Sequence, residues 1–75
     1  MMTETYWDVL DQLVVKTEQR NEYLSKQRAV QAQIDAGNED DSLLEKDIAL
    51  QAEINRLDDD REELNEKAIR LMLLA

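Results

Sequence analysis

Leucine recurs every seven residues through the second half of the chain, at positions 43, 50, 57, 64 and 71. A seven-residue apolar repeat marks a helix that packs along one narrow stripe against another helix. With these leucines as one seam position, the companion position holds Asp47, Ile54, Arg61 and Ala68. The first half carries a looser seam of Tyr6, Leu10, Leu13, Thr17, Arg20, Leu24, Gln27, Gln31 and Ile34. Both seams are apolar at their ends and mixed in the middle.

The stretch between the seams, DAGNEDDS at residues 35–42, is the one cluster of helix breakers. Gly37 suits the left-handed position just past a helix end. Ser42 and Glu45 have capping-box spacing, in which the Ser oxygen accepts from the third amide and the Glu reaches back. Asp40 and Asp41 fall at the positive end of the following helix dipole. The chain has no Pro, no Phe and one Gly, and good helix formers fill the rest. The pattern therefore predicts an all-α chain forming one domain: a helix at about residues 3–36, a loop at 37–41 and a helix at 42–75. Each helix is roughly 50 Å long at 1.5 Å per residue, and a short loop between equal helices favours an antiparallel two-helix hairpin, a coiled coil.

Charge supports that pairing. A parallel zipper through the second helix stacks Asp47 on Asp47 and Arg61 on Arg61, which repel. Folding back near residue 39 instead brings together positions whose numbers add to about 78. Arg20 then lies near Asp58, Arg61 near Glu18 and Lys16 near Glu62. Leu44, Ile48, Ile69, Val9, Val14, Tyr23 and Val30 fall beside or outside the simplest seam, so the apolar stripe is wider than one hairpin needs. That width predicts dimerisation of two hairpins into a four-helix bundle.

Composition narrows the chemistry. The 75 residues include 18 acids and 9 bases, a formal net charge of −9, and the pI is about 4.3. Such a chain does not hold nucleic acid or anionic lipid through a basic surface, but it can meet a basic protein surface. There is no Cys and no His. Disulfides and thiolate metal sites are excluded, and the commonest general base and transition-metal ligand are missing. The two serines, Ser25 and Ser42, have no His to activate them. The segment DAGNEDDSLLEK comes near EF-hand spacing, but Asp40 stands where the loop requires Gly and Lys46 where it requires the bidentate Glu. We therefore expect no enzymatic activity, no cofactor and no metal. The absence of Cys fits a cytoplasmic location. The start, MMTETYWDVL, lacks the basic region of a secretory signal. The longest apolar run, residues 71–75, is far short of the roughly 20 residues that span a bilayer, so no membrane contact is expected.

Two surfaces remain as candidates. The second half carries most of the excess charge, twelve acids against five bases. It concentrates that excess in Asp58, Asp59, Asp60, Glu62, Glu63 and Glu66. Of these, Asp59, Glu62, Glu63 and Glu66 share one helix face opposite the Leu seam, partly neutralised by Glu63–Lys67 and Glu66–Arg70 pairs four residues apart. The other surface is the open end, where Tyr6, Trp7, Leu10 and Val14 meet Ile69, Met72, Leu73 and Leu74. Leu73 and Leu74 point to different sides, and Trp7 and Val15 lie off the seam, so one hairpin cannot cover them all.

The expected function is a non-enzymatic, acidic coiled-coil interaction module that self-associates and regulates or scaffolds a protein partner. The alternative is a small virus-encoded nucleic-acid mimic, an inhibitor whose acidic rod occupies the basic nucleic-acid channel of a host enzyme. A hairpin dimer that reads RNA directly needs basic face residues, which the net charge disfavours.

Overall fold

The computed structural model describes residues 4–74, and within them two helices pack side by side in a rod of 54 × 21 × 14 Å. Helix α1 runs Tyr6–Asp35 and α2 runs Asp41–Leu74. The connection is short enough that the helices can only run antiparallel, as the seams predict.

Helix α1 starts three residues later than expected because Thr5 caps it. The Asp8 amide donates to Thr5 Oγ1 at 3.3 Å, and the Thr5 amide donates to Asp8 Oδ2 at 3.0 Å. This is a reciprocal capping box with Asp in the place usually held by Glu. Its end follows the glycine rule. Gly37 has φ +87°, its amide donates to the Ile34 carbonyl at 3.0 Å, and the Asn38 amide donates to the Gln33 carbonyl at 3.1 Å. Those two bonds are the Schellman arrangement, which satisfies carbonyls that the helix end leaves bare.

The start of α2 differs from expectation. Ser42 does not cap it, because Asp40 does: Asp40 Oδ1 accepts the Ser42 amide at 3.0 Å. Asn38 Oδ1 in turn accepts the Asp40 amide at 3.2 Å, which fixes the turn one step earlier than the Ser42–Glu45 spacing implies. Asp and Ser cap about equally well, and an anionic cap gains further from the helix dipole.

The α2 seam is as the repeat predicts. Leu43, Ile54, Leu57 and Ala68 are buried, and Asp47, Leu50, Arg61, Leu64 and Leu71 are half-buried between them. The α1 seam needs correcting. Val9, placed outside it, is its most buried residue at 0 % exposure. Tyr23 and Val30 share its half-buried edge, while Gln31 stays exposed and donates to Asp47 Oδ1 at 3.4 Å. Nearer the loop the interior position goes to Gln27, which is 5 % exposed and bonded to Gln51.

The register holds at four points. Arg20 donates to Asp58 at 2.5 Å, Gln27 to Gln51 at 2.8 Å, Gln31 to Asp47, and Arg61 Nε to Thr17 Oγ1 at 3.1 Å. In each pair the residue numbers add to 78. Two expected partners change. Arg61 turns to Thr17 and Asp58 instead of Glu18, and Lys16 reaches Asp60 at 3.2 Å instead of Glu62. In both cases the seam side chain takes the nearer acceptor beside the contact over one further around the helix. Among the described residues, no buried side-chain nitrogen or oxygen lacks a hydrogen-bond partner.

Candidate interaction surfaces

Each seam has two edges, and each edge is a shallow groove open to solvent. One is lined by Leu13, Thr17, Asp58, Arg61, Glu62 and Asn65. The other is lined by Gln12, Lys16, Asp60, Glu63, Leu64 and Lys67. Neither encloses a substrate-sized space. Among the described residues, no three acidic side chains converge as metal ligands, and no helix is long and apolar enough to cross a membrane.

The six carboxylates of the expected acidic face divide over three sides of the rod. Asp58 lies on the first edge, held between Arg20 at 2.5 Å and Arg61 at 3.2 Å. Asp60 lies on the second edge against Lys16. Glu66 pairs with Arg70 at 3.8 Å, as its spacing predicts. The expected Glu63–Lys67 pair is not made, because Lys67 crosses to Glu4 at the start of the chain. Asp59, Glu62 and Glu63 are exposed and make no ion pair among the described residues. These three are the free anions of the stretch.

Three other carboxyl groups titrate below their ordinary range. Hydrogen bonds from Lys67 and then Gln12 lower Glu4, the Thr5 bonds lower Asp8, and the Ser42 amide lowers Asp40. Glu4 is half-buried, while Asp8 and Asp40 are exposed and act as helix caps.

The apolar end is only partly closed. Tyr6 and Leu10 are half-buried in the seam, and Tyr6 meets the Trp7 ring edge-on at 5.4 Å. Trp7 remains 72 % exposed, Leu73 75 % and Leu74 83 %. Val14, Ile69 and Met72 are exposed as well. The structure adds a second apolar patch that was not counted as a site. Leu44 and Ile48, near the loop, are 54 % and 69 % exposed. Their signal was present in the sequence: Leu44 shares a heptad column with Met72, and Ile48 shares one with Ile69.

Among the described residues the surface thus carries two open grooves, exposed apolar clusters at both ends and free carboxylates along α2. Compared with protein-family models, curated protein sequences and solved structures, the chain matches none of them.

Proposed function

We propose that this chain is a non-enzymatic interaction module that self-associates through its leftover apolar surface and presents free carboxylates to a protein partner. One observation carries the reading: with the hairpin seam closed, nine large apolar side chains among the described residues still stand in water. Exposed apolar residues scattered singly need no explanation, but clusters at both ends of one rod mark contact surfaces. A four-helix bundle of two hairpins is the simplest structure that covers them. The partner contact belongs to Asp59 and Glu63, which suit a protein with a basic surface. Direct contact with nucleic acid or anionic lipid has no basic surface to support it. A cytoplasmic setting suits a chain without cysteine.

Light scattering of the purified protein at micromolar concentration tests the first half of this reading. A mass twice the 8.8 kDa of one chain is expected, and a mass near 8.8 kDa would refute self-association. A second reading, the viral nucleic-acid mimic, draws on the exposed carboxylates Asp59, Glu62 and Glu63 of α2. It requires binding to a basic channel that weakens steeply with added salt, whereas apolar docking is nearly insensitive to salt.

A further inference from the structure

We infer that a second copy of this chain docks end-for-end on one edge of the hairpin, the edge where Thr17 faces Asp58 and Glu62. This rests on the self-association proposed above and specifies its geometry.

The two edges differ in kind. On α2 the heptad column Leu44, Gln51, Asp58, Asn65, Met72 flanks the seam on this edge, and Ile48, Asn55, Glu62, Ile69 stands beside it. Both columns are apolar at their ends and polar in the middle. The opposite edge carries Lys46, Glu53, Asp60 and Lys67, with Arg56, Glu63 and Arg70 beyond them. On the first edge Asp58 is already neutralised by Arg20 and Arg61, which leaves Glu62 and Asp41 as the charges of the two α2 columns without an ion pair among the described residues. The α1 column on this side, Trp7, Val14, Asn21, Arg28, adds one unpaired cation, Arg28. Asp35 and Asp41, the last residue of α1 and the first of α2, continue these columns to the loop end of the rod. Six of the nine large apolar side chains exposed among the described residues, Trp7, Val14, Leu44, Ile48, Ile69 and Met72, lie on these columns, whereas charges of both signs line the opposite edge, and apolar area of this kind is what the core of a contact between copies buries.

The columns read alike in both directions, and that selects the orientation. A two-fold axis crossing the rod near Asp58 and Asn21 sets Leu44 of one copy against the partner's Met72 and Ile48 against the partner's Ile69. Gln51 then faces the partner's Asn65, and Trp7 and Leu10 come level with the partner's Leu44. Val14 lies along the aliphatic stem of the partner's Arg28. The two Asp58 groups meet at the axis, each held by its own two arginines. A two-fold axis along the rod fails this matching, because Leu44 and Ile48 would then lie opposite the partner's Asp35 and Gln31. A face that matches itself under a two-fold rotation is what a homodimer contact requires.

The elongated shape leaves 5871 Å² exposed, about 1,100 Å² more than a compact monomer of this mass, so one long edge has room for the roughly 800 Å² that each partner contributes to a stable interface.

The chain contains no cysteine, so single-cysteine variants give a direct test. Ile48→Cys and Ile69→Cys both replace exposed residues and leave the seam intact. Mixed in equal amounts with a short bismaleimide cross-linker, they are expected to join to each other. Either variant alone is expected to join weakly. Ala49→Cys mixed with Arg70→Cys, at matching heights on the charged edge, is expected to stay separate. Efficient 48–48 and 69–69 linking would overturn the end-for-end arrangement, as would equal linking of the control pair. Dimer mass without any 48–69 product would overturn this interface while leaving self-association standing. A monomeric mass for the unmodified chain would overturn both.

Discussion

Leu57→Ala is expected to be the most damaging single truncation in the seam. Leu57 is 1 % exposed, sits midway along α2, and lies next to Asp58 and its two arginines. Alanine removes three carbons from a site whose walls are two helices tied by polar bonds, so collapse to fill the space is resisted. Leu→Ala substitutions cost about 2–5 kcal/mol depending on that collapse. The open groove lined by Asp58 and Arg61 lets water approach one side, which places this site near the lower half, at about 3 kcal/mol. For a domain of this size each kcal/mol moves the melting midpoint by about 4–8 °C, so a drop of roughly 12–24 °C is expected. Thermal melts followed by far-ultraviolet circular dichroism measure it, with all variants at one protein concentration because association contributes to the midpoint. Two controls frame the result. Val15→Ala, exposed and on the outer side of α1, should leave the midpoint almost unchanged. Leu43→Ala, buried but in the first turn of α2, should fall between, because helix ends fray before the middle opens. A Leu57→Ala shift no larger than that of Val15→Ala would refute the seam assignment.

Gly37→Ala should destabilise the hairpin by about 1 kcal/mol. The cost is purely conformational, because φ is +87° and nothing lies within 4 Å of the added carbon; an unchanged urea midpoint would contradict the left-handed turn. Asp40 titrates below its ordinary value of 3.8 because the folded loop donates to it. Its contribution is therefore full above that value and lost as pH falls through the folded value. Asp40→Asn keeps a capping oxygen without the titration, so urea midpoints across a pH series should differ between variant and parent in shape only below about pH 4. Asp59→Lys with Glu63→Lys reverses two free carboxylates off the proposed dimer edge. Helicity and mass should hold while capture of a basic protein partner falls; capture at parental level would exclude this stretch as the partner surface.

The α2 seam was readable because five leucines and Ile54 fix one stripe whatever the neighbours do. Gly37 was readable because a left-handed residue has few occupants. The pairing of Arg20 with Asp58 followed from the fold-back point alone. Other features depend on competition that a linear pattern does not rank. Ser42 and Asp40 are comparable caps, and Asn38 decided between them by fixing the turn. Lys16 and Lys67 each had two acids within reach, and both crossed the seam. Val9 looked peripheral because the nearby Leu10 satisfied the repeat equally well. For the candidate surfaces, counting acids overstated the free charge, since three of the six carboxylates are spent on cations of the same chain.

The polar centre of the seam also limits what this rod can become. Its apolar ends, taken alone, would accept a slip of one heptad, since one leucine layer resembles the next. The centre would not. A seven-residue slip moves Asp58 away from Arg20 and separates Gln27 from Gln51, stranding a glutamine that is 5 % exposed. Unpaired groups in such a position cost more than the pairs contribute when made. An all-leucine centre would make a stronger rod with several equivalent alignments and an uncertain number of strands. The arginines, aspartate and glutamines thus act as a key cut into the middle of the shaft, trading some cohesion for a single alignment. Heptads could be added or removed at the open end without disturbing that key, so the length of the rod is free to vary while its alignment is not.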